Sequence, residues 1–204
     1  KAAVKQAFPN AYLITDRFHV VKLAMEAMQR TRIDTRWEEI EKEQQAIKEA
    51  RNEKKKYHPF TFKNEDTPKQ LLARSRYILA KKIGEWTKNQ KERAEILFEH
   101  YPEIEKHYHH TLELRNIYEE VEMDKAKDKI EKWIEKTFEK KYENFYSVAN
   151  TIKQNQENIL NFFITRNTNA NAESFNAKIK LFRANLRGVV DIPFFLFRLS
   201  KLFA

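Results

Sequence analysis

The chain has 204 residues, no cysteine, and 39 Lys+Arg against 30 Asp+Glu, a formal charge of +9. That length carries one or two domains with a sizeable core. The lack of cysteine excludes disulfides and thiolate metal sites, and no apolar run approaches the ~18 residues of a membrane span. The basic balance favours a polyanionic partner, nucleic acid first and an acidic membrane surface second.

Glycine occurs twice, at Gly84 and Gly188, and proline five times. A chain so poor in turn-formers is mostly helix. It opens at Lys1, without Met, inside what reads as the end of a helix over residues 1–8, so we expect a piece of a longer protein. Pro9-Asn10 breaks that helix. Ala11-Tyr12-Leu13-Ile14-Thr15 is the one strand expected. A lone strand leaves its backbone unpaired, so it must find a partner, in the preceding sequence or in another copy.

From Phe18 to about Lys56 the pattern is helical. Val20, Leu23, Ala24, Ala27 and Met28 form an apolar stripe, and Ile33, Trp37, Ile40 and Ile47 continue it after a phase shift. The mixed charges from Glu38 to Lys56 read as a solvated face. Further helices are expected at roughly 67–82, 87–101, 103–122, 124–139 and 142–165, with Thr67-Pro68 and Thr87 as starts. Trp37, Trp86 and Trp133 sit on apolar stripes and read as core; base stacking by an exposed aromatic stays open. Glu103, His107 and His110 share a helix face. With no second-helix ligand identifiable, ordinary histidines explain them better than a zinc site.

The polar run 166–172 opens a helix expected to end near Gly188 as its C-cap. After Pro193 a last helix carries Ile192, Phe195, Leu196, Leu199, Leu202 and Phe203. On the helix at 172–187, Phe175, Ile179, Phe182 and Leu186 form one face that must be buried. On the opposite side, Glu173, Asn176, Lys180, Arg183 and Arg187 form a stripe. A first-turn carboxylate there could hold Mg²⁺ while the cations hold a DNA backbone. A glutamate placed only to suit the helix dipole explains Glu173 as well.

Two blocks carry a resemblance. Phe8-Pro9-Asn10-Ala11-Tyr12-Leu13-Ile14-Thr15-Asp16-Arg17-Phe18-His19-Val20-Val21-Lys22 resembles the segment after the second catalytic Asp of bacterial insertion-sequence transposases of the DDE type, ISL-three branch. Asn169-Ala170-Asn171-Ala172-Glu173-Ser174-Phe175-Asn176-Ala177-Lys178-Ile179-Lys180 resembles that branch's block around the third acidic residue. Arg187-Gly188, Phe194 to Leu199, Ser75-Arg76-Tyr77 and Trp86 to Gln90 are similar to the same proteins, so the likeness covers essentially the whole chain.

The resemblance implies a mainly α chain: part of a ribonuclease-H-like core (residues 1–22 with its one strand, and 166–204 with its C-terminal helices) interrupted by an all-helical insertion (23–165). It implies an intact enzyme whose Asp, Asp and Glu hold two Mg²⁺ ions to cut and transfer DNA strands at insertion-sequence ends. Glu173 takes the place of the third acidic residue and metal ligand. Asp16-Arg17-Phe18-His19 fits a signature beyond the second Asp, so Asp16 and His19 support the site, as does Asn176. Lys178, Lys180, Arg183 and Arg187 are the DNA-binding candidates. Both catalytic Asp residues would precede Lys1, leaving this chain inactive and without bound Mg²⁺. The implied partners are transposon-end DNA and further copies of the chain, in the bacterial cytoplasm at the nucleoid, with no membrane. A non-catalytic, basic, helical DNA-binding or assembly module is the alternative.

Overall fold

The structure, a computed structural model, describes residues 6, 13–166 and 170–203, with side chains at all of these except 165, 170–173 and 203. Among the described residues the α-helices are α1 (Arg17–Asn52), α2 (Pro68–Arg74), α3 (Lys88–His100), α4 (Pro102–Ile117), α5 (Met123–Glu139), α6 (Tyr146–Gln154), α7 (Gln156–Thr165), α8 (Ala170–Asn185) and α9 (Ile192–Phe203). Two 3₁₀ turns, Ile83–Glu85 and Glu143–Phe145, join them. The chain divides into two compact units, residues 1–165 and 166–204.

The mainly helical class is as expected, but among the described residues there is no strand. Residues 11 and 12 lie outside the described residues, and 13–15 form no strand. A helix meets part of their backbone instead: the Thr15 N–H donates to the Asn158 carbonyl at 2.9 Å, and the Asn161 amide donates to the Leu13 carbonyl at 3.0 Å. α7 thus supplies two bonds of the kind a neighbouring strand would give. The helix expected over 1–8 lies outside the described residues except for Gln6, which is helical.

Helix α1 organises the first unit. Its buried positions are Val20, Ala24, Ala27, Met28, Thr31 and Arg32, and it lies chiefly against α4, where His107, Tyr108, Thr111 and Leu114 are buried. The second apolar stripe does not continue this face. Ile33 follows Met28 by five residues, a rotation of roughly 140° at ~100° per residue. Accordingly Ile33, Trp37 and Ile47 are exposed. Trp133 is in the core and Trp86 half-buried, so Trp37 is the tryptophan that core packing does not explain.

Two expected helices are interrupted, each for a local reason. The one expected at 67–82 ends at Arg74 and continues as turns. There the carbonyls that a helix would occupy receive side chains: Arg32 donates to Leu72, Gln29 to Arg76, Trp86 to Ile78, Arg115 to Ala80 and Tyr108 to Lys81. The one expected at 142–165 breaks at Asn155, whose side-chain amide donates back to the Thr151 carbonyl at 2.8 Å. Asparagine competes with the helical ladder in this way. Thr67 and Thr87 start helices as expected; at Thr87 the Gln90 side chain accepts the cap N–H and the hydroxyl accepts the Gln90 N–H.

A fully buried carboxylate ties α2 to α3. Asp66 accepts from Arg74, from Arg93 Nε at 3.1 Å and from the Asn64 amide at 3.0 Å. His107 and His110 sit inside the core. Thr31 Oγ lies 2.7 Å from His107 Nδ1, accepts from the Asn144 amide and reaches the Ala27 carbonyl at 3.5 Å. The His110 ring stacks on Trp133 at 4.3 Å, and its Nε2 meets the Thr137 hydroxyl, which donates to the Trp133 carbonyl. Both rings are therefore hydrogen-bonded core residues. Burial lowers both pKa values from the ordinary 6.5. Glu113 is held down to about 2, by the His110 contact first and by Lys136 after it. The shifts on Glu113 and His110 call for different ring charges. Since burial keeps His110 neutral at neutral pH, Lys136 is the charge beside Glu113 there, 2.5 Å away.

The second unit is a pair of helices. Phe182 of α8 stacks on Phe195 of α9 at 5.6 Å, with the Arg198 guanidinium 5.3 Å over the Phe182 ring. Asp191 caps α9 by accepting the Phe194 N–H. The face expected to be buried is covered only in its middle: Ile179 and Phe182 are half-buried, Phe175 and Leu186 exposed. Two helices alone cannot enclose an apolar stripe.

Asp66→Ala removes a buried charge that two cations depend on. It should lower unfolding stability by about 3 kcal/mol in urea titrations, and a loss below ~0.5 kcal/mol, the range of ordinary surface changes, would show the cluster to be ornamental. For the histidines, an unfolded chain binds protons that the folded one refuses just below pH 6.5. Their contribution is thus complete above that pH and lost as pH falls through it, with Glu113 adding a further loss from 4.5 toward 2. The urea midpoint should fall between about pH 7 and 5, and less so in a His107→Gln, His110→Gln double variant. A flat profile would refute neutral buried rings.

Candidate active site

The candidates lie on two stretches of backbone, one in each unit. In the first, Asp16 ends the extended segment tethered to α7 and caps α1. Its Oδ1 accepts the Phe18 N–H at 2.6 Å, its carbonyl accepts the His19 N–H at 3.1 Å, and the residue is buried. An N-cap aspartate satisfies orphan helix donors and suits the helix dipole. It also faces the Tyr118 phenol, which burial first and the Asp16 charge second keep protonated. His19 is exposed, with Phe18 edge-on to its ring at 5.9 Å. The structure therefore gives Asp16 a capping role and leaves His19 at the surface.

In the second unit Glu173 lies in the first turn of α8, and its side chain lies outside the described residues. Helical geometry places its Cα in line with Asn176, Lys180 and Arg183, within roughly 80° of arc, while Arg187 lies past the last residue of α8, Asn185. The stripe is not opposite the apolar one. The two are centred roughly 100° apart, so the polar stripe flanks the Phe182 face. Lys178 lies some 140° round from Glu173, off the stripe altogether. Asn176, Lys178, Lys180, Arg183 and Arg187 are all exposed.

The end of α8 departs from expectation in an informative way. The Gly188 N–H bonds the Arg183 carbonyl at 3.3 Å and the Arg187 N–H the Ala184 carbonyl at 2.9 Å. This is the Schellman pattern, and it puts the left-handed residue at Arg187, with φ 54°, one position before the glycine. A side chain in that region costs roughly 1–2 kcal/mol. The fold thus holds a cation, not a glycine, at the turn.

Charge is distributed unevenly. Residues 166–204 contain seven Lys/Arg and two Asp/Glu, so more than half of the chain's +9 resides in its last 39 residues. In the first unit many cations are paired with carboxylates, as in Lys69–Glu43, Lys82–Glu119, Lys129–Glu120 and Lys136–Glu113. Among the described residues Lys178, Lys180, Arg183 and Arg187 form no ion pair. Unpaired cations on an exposed helix can bind phosphates at no cost in broken ion pairs.

Mg²⁺ needs several hard oxygens converging on one point. Among the described residues no three His, Asp or Glu side chains converge in that way. These residues do not by themselves compose a magnesium site. Sequence reasoning also missed exposed aromatics that it had assigned to the core or left unplaced. Phe18 and Tyr77 line a groove of about 420 Å³ with Lys22 and Arg76, and the Arg76 guanidinium lies 5.6 Å over the Tyr77 ring. Aromatic type alone does not distinguish a wall from a surface.

A family model described as transposase, of the DDE type and ISL-three branch, matches residues 1–199. No curated protein and no solved structure matches the chain. The match spans nearly the whole length, and the chain belongs to this transposase family.

Proposed function

We propose that this member of the DDE transposase family serves Mg²⁺-dependent DNA strand cleavage and transfer at insertion-sequence ends, that α8 is its DNA-facing helix, and that the chain by itself binds DNA without cutting it. The observation that carries this reading is the line of Lys180 and Arg183 on α8 with Glu173, and Arg187 just past its end, none of these cations in an ion pair among the described residues. Lys180, Arg183 and Arg187 hold the DNA backbone, Asn176 supports the stripe, and Lys178 reaches a neighbouring phosphate from the helix flank. Glu173 is the metal carboxylate. It needs partner carboxylates to complete a magnesium site. Asp16 and His19 act as supports, Asp16 by fixing the entry of α1. Residues 1–22 and 166–204 as parts of a ribonuclease-H-like core, around a helical insertion at 23–165, belong to the same proposal.

Duplex DNA carrying element ends should bind with an affinity that falls steeply with salt. Replacing Lys180, Arg183 and Arg187 by Ala should reduce the slope of log K against log salt by ~0.9 per lost phosphate contact. An unchanged slope removes α8 from the interface. Arg187→Gly separates charge from fold: glycine suits φ 54°, so the variant should be at least as stable as the parent, yet bind DNA more weakly. In a transposase carrying all three acidic residues, Glu173→Gln should abolish cleavage while DNA binding persists. Retained cleavage would exclude the metal role and leave a non-catalytic DNA-binding module.

A further inference from the structure

Phe18 and Tyr77 come from distant parts of the chain, the first turn of α1 and the irregular stretch after α2. They nonetheless line the same groove of about 420 Å³, a volume within the ~300–1,000 Å³ range of small-ligand sites. Both rings are largely in solvent, Phe18 63% and Tyr77 68% exposed, so core packing explains neither. Half-buried Val21 and Met25 add apolar lining.

The backbone that carries Tyr77 is held in place by side chains from elsewhere in the unit. The Gln29 amide donates to the Arg76 carbonyl at 3.0 Å, and buried Arg32 donates to the Gln29 side-chain oxygen at 2.7 Å. Trp86, Arg115 and Tyr108 tie the carbonyls of Ile78, Ala80 and Lys81. A ring presented on backbone fixed in this way needs little further ordering when a ligand arrives.

The charge of the groove is positive. Lys22, Arg76 and Glu26 line it, and Glu26 faces Lys22 at 3.8 Å. Arg76 forms no ion pair among the described residues, and its guanidinium lies 5.6 Å over the Tyr77 ring. Its charge is felt beneath the surface: burial first, then Arg76 and Arg36, hold the Arg32 guanidinium below its usual pKa.

We propose that this groove holds unpaired bases of a DNA strand, a base stacking on Phe18 or Tyr77 while Arg76 and Lys22 take the flanking phosphates. Exposed aromatic rings beside cations suit a single strand, because every base offers a π-face and every link a negative charge. In a duplex those faces are stacked on one another, and a base must leave the stack before a ring can reach it. The site goes beyond the role given to α8. It lies in the first unit, uses no residue of α8, and responds to whether the strand is paired.

Fluorescence anisotropy with a labelled single strand of about 12 nucleotides tests this, in about 0.3 M salt to weaken purely ionic contacts. Phe18→Ala and Tyr77→Ala, both at exposed positions, should each weaken single-strand binding roughly five- to a hundredfold. Tyr77→Phe, which keeps the ring, should bind as the parent does. The duplex of the same sequence should bind all these proteins alike. An abasic strand of equal length, which keeps the phosphates, should bind the parent more weakly than the intact strand does. Unchanged single-strand binding in both alanine variants overturns the proposal and returns the groove to a protein partner. So does an abasic strand that binds as tightly as the intact one, or a loss that is equal on duplex and single strand. The α8 reading fails separately, if replacing Lys180, Arg183 and Arg187 leaves duplex binding intact.

Discussion

Helix α1 lies against α4 along small side chains, and much of the first unit is arranged around that contact. Ala24 and Ala27 let the two backbones approach closely enough for Thr31 to reach His107 and for Thr111 to lie beside the Ala24 carbonyl. Larger residues there would separate the helices and strand both polar groups in an apolar interior. Asn144, in the turn before α6, reaches the same Thr31 hydroxyl and so fixes where the last third of the unit begins.

The irregular stretch after α2 depends on that arrangement. Its carbonyls are satisfied by Gln29 and Arg32 from α1 and by Tyr108 and Arg115 from α4, each tens of residues away in sequence. The Tyr108 phenol, pushed up to about 12 chiefly by burial, remains a donor at any ordinary pH. A segment whose hydrogen bonds come from two other helices has no reason to continue as a helix itself. Asp66 closes the same region from the other side through Arg74 and Arg93.

The two units divide the labour of the chain. The first spends many of its charges on internal pairs and, within α1, leaves an apolar stripe uncovered. The second has little core, much of the net charge, and cations that nothing in the described residues neutralises. A surface of that composition is suited to a polyanion, as is consistent with a chain that belongs to a transposase family.

Composition and period were enough, from the sequence alone, for the helical class, most helix starts and the line of cations on α8. These are local properties: propensity, capping residues and 3.6-residue repeats act within a few turns. The block around Glu173 was equally legible, as a resemblance that the match over residues 1–199 bears out at the level of family. Tertiary structure decided what local rules could not. Leu13–Thr15 have strand-like residues, but Asn158 and Asn161 of a helix distant in sequence meet two of their backbone groups. The helix after Pro68 and the one after Tyr142 stop where side chains outcompete the backbone ladder. Ile33, Trp37 and Ile47 have the composition of a core, yet the direction of the neighbouring helices leaves them facing outward. A periodic stripe shows only that some face is apolar; which faces are covered depends on where the other helices lie.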